Sequence, residues 1–444
     1  MMYLLGVLLM ALGVALSIAL HELGHLIPAK KFGVRVTQYM VGFGPTVWAR
    51  RRGETEYGIK AVPLGGYIRM IGMLPPRPQD KPGQLRTAST GRVSQMADRA
   101  REDSFDEIGE DDGDRVFYKL PVWKKVVIMM GGPTVNLVIA AVLLVVIACG
   151  VGLPEQKSAN VAGVNECLPV TVAAGEKAPK CTADNRSPAW KAGLKPGDEF
   201  VSVAGEPVTT SQGVTEIIRD RAEQAIPVVV ERDGKEVTLS VTPVTREMPK
   251  QDDNGQQVLT MSGEPVMENV GLIGTSIGGT FVTERRPLTE GPAIVADGLK
   301  QTASVFLKIP QKMVGVAHAA FSDGQRDANG PISVVGVGRV AGEVTDEADS
   351  AKSVAVVLLM ILASLNLALF VFNMIPLLPL DGGHIAGALW EGVKRTIARA
   401  RGIEGPVYAD VTKALPVAYG VSIVLVVMSV LLIYADIVNP ISLN

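Results

Sequence analysis

The chain is poor in the residues that most soluble chemistry relies on. Of its 444 residues only 4 are His and 3 are Cys, aromatic residues make up 5% and charged residues 20%. Three cysteines cannot build a disulfide framework, and none stands at zinc-site spacing from a histidine. A formal charge of −2 offers no basic footprint for nucleic acid, so no nucleic-acid partner is expected. Internal repeats are absent, which disfavours a transporter built from two related halves around a polar midplane site. What the chain has instead is apolar length. Runs at 1–20, 126–153, 353–376 and 414–435 each approach or exceed the roughly 20 residues needed to cross a bilayer.

The first run carries His21, Glu22 and His25 in the pattern H-E-x-x-H. His21 and His25 are four apart, so on a helix they share one face about one turn apart. Two imidazoles so placed can reach one zinc ion, and Glu22 stands beside it to take a proton from water. A catalytic zinc site needs a third protein ligand and an open position. Asp381 is the candidate: it ends a segment, 353–380, that holds no charged residue. A carboxylate at membrane depth is costly and marks a functional site. Two close prolines, Pro376 and Pro379, should unwind the chain just before it. His384 could be a fourth ligand, but the open position that a catalytic zinc needs favours a supporting or structural role.

With these residues in place the chain resembles the site-2 protease family of intramembrane zinc proteases (peptidase family M50). More narrowly, it is similar to the bacterial members that cut anti-sigma factors after a first protease has acted. The likeness is spread over 19–27, 57–70, 131–137, 187–205 and 373–384. It implies Zn2+ as cofactor, His21, His25 and Asp381 as its ligands, and Glu22 as the catalytic acid–base. It implies that Asn373, Gly65 and Gly66 help position substrate, and that Asn136 occupies a recurrent family position, with helix packing as its competing role.

The expected fold class is a polytopic α-helical membrane protein: four transmembrane helices, a membrane-associated β-hairpin and an extracytoplasmic PDZ (α+β) domain. Helix one (1–28) retains its N-terminal run, which lacks a basic n-region and flows into the metal motif; Pro28 suits a helix stop. A cytoplasmic region (29–125) follows. Within it, 57–70 is β-prone and broken by Gly and Pro, reading as a hairpin about Gly65-Gly66. The resemblance makes this a membrane-entering β-loop that holds an extended substrate along its edge. Residues 75–115 read as a polar insert. Helix two is 126–153.

Residues 155–245 are expected to be the PDZ domain. The run from Ser187 to Gly205 reads as a short helix, a Gly-Asp turn and an alternating strand, and resembles bacterial protease PDZ modules. Asp233-Gly234 reads as a hairpin turn. Such a module binds a peptide or substrate segment, and here is expected to admit only trimmed substrates. Cys167 and Cys181 come just before the Ser187–Gly205 run, and an oxidising compartment permits their pairing. Residues 246–352 are read as linker and amphipathic helices, 353–384 as helix three with the L-D-G motif, and 414–435 as helix four.

Lys and Arg flank the runs unequally. Lys30, Lys31, Arg35 and Arg50 to Arg52 follow helix one, Lys119, Lys124 and Lys125 precede helix two, and Lys394, Arg395, Arg399 and Arg401 lie between helices three and four. The positive-inside rule then puts both basic loops in the cytoplasm, and both termini and the PDZ domain outside a multi-pass cell membrane protein. The expected function is hydrolysis of a peptide bond in or near the membrane span of a pre-trimmed single-span protein, with the lipid bilayer as surroundings and anti-sigma factors as substrates. The rival reading is a non-catalytic membrane scaffold that presents a PDZ domain.

Overall fold

The computed structural model describes residues 2–75, 108–109, 112–168, 181–182, 185–250, 258, 260, 265–321, 326, 330–347, 350–403 and 407–440. Most of the polar insert at 75–115, and 251–257 of the expected linker, lie outside these. The chain divides into two units, Met1–Ile147 with Pro287–Asn444, and Ala148–Arg286.

The first unit is helical. Among the described residues, four helices are long and apolar enough to cross a bilayer: Met2–Lys31, Val122–Val151, Ala351–Asn373 and Leu415–Val438. Helix α1 (Met2–Lys31) exposes Leu4, Leu8, Leu12 and Leu16, as a helix facing lipid does. It does not stop at Pro28 but runs to Lys31. Proline there removes only the bond to the Gly24 carbonyl, one turn from the end, and Gly33 at φ +85 closes the helix. Helix α2 (Val122–Val145) crosses α1 at backbone contact: a Cβ on Gly24 would lie 2.4 Å from the Gly131 carbonyl oxygen, and one on Gly131 2.0 Å from that of Gly24. Only glycine at both positions lets the helices meet so closely.

Between these helices the chain forms β1 (Val36–Arg52) and β2 (Thr55–Met70). Here the expected hairpin within 57–70 is corrected. The two halves of β2 do not pair with each other; both pair with β1, from Val36↔Met70 to Val41↔Gly66 and again from Thr46↔Lys60 to Arg52↔Thr55. The turn that makes the hairpin is at Gly53 (φ +65), while Gly65 (φ +128) lets β2 bend midway. The missed partner, Val36 to Val41, carries β-branched residues next to the basic flank of α1.

Helix α5 (Gly291–Phe321) is one long helix, and α6 (Val334–Glu347) lies against the start of α1, where a Cβ on Gly6 would meet the Ala341 carbonyl at 2.5 Å. Helix α7 (Ala351–Asn373) reaches α1 through Asn366, whose Nδ2 donates to Ser17 Oγ at 3.0 Å. The segment 353–384, expected to unwind at Pro376 and Pro379, is broken there: α7 ends at Asn373, and α8 (Asp381–Ala400) starts afresh with Asp381 as its first residue. The chain between is folded back tightly, since a Cβ on Gly382 would stand 2.3 Å from the Ile375 carbonyl oxygen. Helix α9 (Leu415–Val438) closes the unit. One buried cluster joins Leu26 and Ala29 of α1, Val36 and Met70 of the sheet, Ile128 and Met129 of α2 and Ile385 of α8. That cluster brings the late helix α8 to the first helix.

The second unit is a six-stranded sheet with two short helices. Strands β3 (Leu153–Val164), β4 (Glu199–Val203), β5 (Glu206–Pro207), β6 (Ile226–Arg232), β7 (Lys235–Val241) and β10 (Thr275–Glu284) lie in the order β10-β3-β4-β6-β7, with β5 on β4. Strands β8 (Val244–Pro249) and β9 (Met267–Leu272) form a separate pair. Helices α3 (Pro188–Ala192) and α4 (Ser211–Arg219) are capped by Ser187 and Thr210, whose hydroxyls accept from Trp190 and Gly213 N–H. The core is Val161, Phe200, Val203, Val214, Ile218, Val228, Val230 and Val241. The Asp233-Gly234 turn joins β6 to β7, with both residues at positive φ. Cys167 and Cys181 are disulfide-bonded. The unit is larger than the expected 155–245. Strand β10, in the stretch read as linker, pairs with β3 along its length; its Gly278-Gly279 hid the alternation that marks a strand.

Asp198 anchors this unit. Its carboxylate accepts from the Lys195 N–H at 2.8 Å and from Arg232 Nε and a terminal nitrogen, both at 2.6 Å. Burial alone would raise the Asp198 carboxyl; the Arg232 guanidinium and the Lys195 N–H outweigh it and hold it below the usual carboxylate range. A depressed folded value means that the unfolded chain binds the extra proton. The contribution is therefore complete above about pH 4, the unfolded value, and is lost as pH falls through the lower folded value. Asp198→Ala is expected to destabilise the unit by about 1–3 kcal/mol at neutral pH, with the difference from the parent shrinking in acid, as read by amide hydrogen exchange in the full-length protein.

Candidate metal centre

Helix α1 presents both imidazoles to one point. His21 Nε2 and His25 Nε2 are 3.2 Å apart. Asp381 Oδ2, from the first turn of α8, stands 3.5 Å from the former and 3.4 Å from the latter. Among the described residues these three form the one cluster that could hold a metal ion. A tetrahedral zinc with bonds of about 2.0–2.1 Å sets its ligand atoms about 3.3–3.4 Å apart, so the spacing fits. Asp381 Oδ2 is buried and has no hydrogen-bond partner among the described residues. An orphaned carboxylate oxygen facing two imidazole nitrogens is an arrangement that a divalent cation would fit.

Helix α2 supplies the support. Its residues 128, 132 and 136 follow at one-turn intervals and share a face. The Ile128 carbonyl accepts from His25 Nδ1 at 2.7 Å, which leaves His25 Nε2 with its lone pair towards the cluster. Gly132 makes room: a Cβ there would lie 2.2 Å from His25 Nε2 and 2.7 Å from His21 Nε2. Asn136 is buried, with its amide nitrogen 3.0 Å from His21 Nδ1 and its Oδ1 unpartnered. Amide O and N are interchangeable by a flip. The flipped amide lets Oδ1 accept a proton from His21 Nδ1, the tautomer that frees Nε2 for a metal.

Glu22 lies between the cluster and the sheet. Its carboxylate faces the backbone of Ile68 in β2. Gly66 faces it so closely that a Cβ would lie 2.8 Å from Glu22 Cγ and 3.0 Å from Ile18 Cγ2. Tyr39 of β1 donates to the Ala19 carbonyl at 2.7 Å, tying the sheet to α1. Gly65 lies under the Phe43 ring, one residue further from Glu22. Asn373 is the last residue of α7, and its side chain makes no hydrogen bond among the described residues. His384 is not in the ligand cluster. It lines a small cavity with Tyr118, Lys125 and Glu391. There Lys125 Nζ meets Glu391 Oε1 at 2.8 Å, both side chains buried, and so pins α8 to the start of α2. Neither the Gly132 clearance nor the Ile128 carbonyl was foreseen. Small residues at 131–132 signalled only close packing.

Helices long and apolar enough to cross a bilayer, a two-histidine, one-aspartate cluster that could hold a metal ion and an adjoining glutamate are features that a membrane metalloprotease would present. The comparisons with known proteins give the same class. The profile of peptidase family M50 matches residues 9–415. Over 450 residues the chain is 35% identical to Zinc metalloprotease Rip1 of Mycobacterium tuberculosis, covering 100% of both chains. It is 34% identical to the Rip1 protein of Mycolicibacterium smegmatis, again over 100% of both. Metalloprotease MmpA of Caulobacter vibrioides is 29% identical over 88% of this chain and 87% of its own. The chain belongs to peptidase family M50, the site-2 protease family, and is a zinc metalloprotease.

Proposed function

We propose that His21, His25 and Asp381 hold the zinc and that Glu22 is the general acid–base in cutting a peptide bond in or next to a substrate's membrane span. The observation that carries this is the meeting of Asp381 Oδ2, buried and unpartnered, with both imidazole nitrogens. Zinc, when bound, supplies the Lewis acidity that makes water nucleophilic near neutral pH. Glu22 takes the proton of the attacking water and returns it to the leaving amine. The edge of β2 at Gly66 to Ile68, with Gly65 as its bend, lies beside Glu22 and receives the substrate in extended form by backbone hydrogen bonds. Extension is required because a helix in lipid keeps its carbonyls bonded. Asn373 is assigned to the substrate backbone at the break between α7 and α8.

The orientation follows the basic loops, with both termini and the second unit outside the cell membrane. The Cys167–Cys181 disulfide supports an oxidising side for that unit. We read residues 155–245, enlarged by the strands up to 284, as a PDZ module that senses trimmed substrate. The substrate class is a single-span membrane protein already shortened by another protease, with anti-sigma factors the leading case by family resemblance. The test compares membrane proteins in cells carrying the parent and Glu22→Gln forms. A trimmed single-span fragment, such as an anti-sigma factor, should accumulate only with Glu22→Gln; identical membrane proteomes would reject the substrate class.

The support from α2 can be measured apart from cleavage. Asn136→Leu is expected to weaken zinc binding by about 10–100-fold, whereas Asn136→Asp, which can still accept from His21, keeps it. Gly132→Ala should lose zinc to at least a similar degree, because α2 can relieve the clash only by giving up the Gly24–Gly131 contact. Chelator competition on purified protein reads both. Zinc affinity unchanged in Asn136→Leu would leave Asn136 a packing residue.

A further inference from the structure

Helix α8 has one face that the described protein leaves uncovered. Leu389, Trp390, Val393 and Ile397 are 55%, 56%, 47% and 45% exposed. At 100° per residue they fall, with Ala400, inside a sector of about 100°. Lys394 and Arg401 border that sector on one side and Arg399 on the other. Arg399 and Arg401 are exposed and make no ion pair among the described residues. Lys394 Nζ stands 5.9 Å from the centre of the Trp390 ring. The helix has no acidic group to offset these cations at the surface. Glu391 points the other way and is consumed by Lys125 at 2.8 Å and Arg395 at 2.6 Å, and Asp381 belongs to the metal cluster.

Water would not favour four adjacent large apolar side chains. The neighbouring elements identify what covers them. Helix α8 follows α7 and precedes α9, both long and apolar enough to span a bilayer, so it is tethered at the bilayer surface. An apolar stripe bordered on both sides by Lys and Arg is the pattern of a helix that lies along that surface. We propose that α8 is seated in the membrane–water interface and that Lys394, Arg399 and Arg401 bind anionic phospholipid headgroups. Because the same helix opens with Asp381, lipid charge then helps to hold the third donor in place. That consequence rests on the metal-site reading above; the lipid contact itself does not.

The test uses the full-length chain with Trp48, Trp123 and Trp190 replaced by Phe, leaving Trp390 as the reporter, in phosphatidylcholine bilayers. Brominated phosphatidylglycerol or brominated phosphatidylcholine is titrated in and Trp390 fluorescence is read. Both lipids should quench, with phosphatidylglycerol favoured at least about fivefold, the effect of one cation near the surface. K394Q/R399Q/R401Q should bring that ratio to about one, and high salt should lower it in the parent. Equal quenching by the two lipids in the parent, or quenching by neither, overturns the proposal. Spin-labelled phosphatidylglycerol, immobilised by the unmodified chain and released by the triple variant, gives the same reading without tryptophan replacement. In parallel, cleavage by the unmodified chain should rise with phosphatidylglycerol content. A zinc-free, inert preparation with its lipid selectivity intact would count against the metal-site reading while upholding the lipid contact.

Discussion

Asp381→Ala is expected to purify without zinc and to show no cleavage above background. The loss should be this large because Asp381 is the one donor that does not come from α1. Its Oδ2 sits 3.5 and 3.4 Å from the two imidazole nitrogens and has no other partner among the described residues. Removing it leaves two ligands where a catalytic zinc site has three. It also removes the link that a metal would make between α1 and α8. Added zinc should therefore raise the melting temperature of the parent, by the linkage that gives about 2.7 kcal/mol at a hundredfold excess over Kd, and should leave Asp381→Ala unmoved. Metal analysis and thermal unfolding check both halves. Full zinc occupancy in Asp381→Ala would remove this residue from the donor set.

Glu22→Gln is expected to do the opposite with the metal and the same with the chemistry. Zinc content should stay at the parent level while cleavage falls by about 10²–10⁴-fold, the usual contribution of a positioned acid–base group. The substitution is isosteric, so the close fit against Gly66 is kept. What is lost is only the ability to take and return a proton. Paired assays of metal content and peptide release separate the two variants, and an active Glu22→Gln protein would falsify the assignment of Glu22.

The residues that meet at the site were legible from sequence because each broke a local rule. His21, Glu22 and His25 are polar in an apolar run, and Asp381 is a lone charge after a long uncharged one. The break before Asp381 was legible from Pro376 and Pro379 for the same reason, since proline removes backbone donors in a known place. The bulk of the spanning helices followed from length alone. What stayed hidden was pairing between distant segments. Strand β1 was missed because its first half abuts the basic flank of α1, and half of the sheet about Glu22 is made of it. Strand β10 was taken for linker because Gly278 and Gly279 leave no alternation, though it pairs with a strand more than a hundred residues earlier. The supporting role of α2 was hidden for another reason: a backbone carbonyl and the missing Cβ of Gly132 have no signature of their own. Pro28 misled because its ring strains a helix interior far more than a last turn.

The donor set is split between residues 21 to 25 and residue 381, and this bears on how the protein is made. Throughout most of translation, the nascent chain holds His21, Glu22 and His25 but not Asp381. If those residues hold the zinc as proposed, the site would be complete only once α8 has emerged and packed against Ile128 and Leu26. On the site reading proposed above, a chain truncated before α8 would lack the third donor.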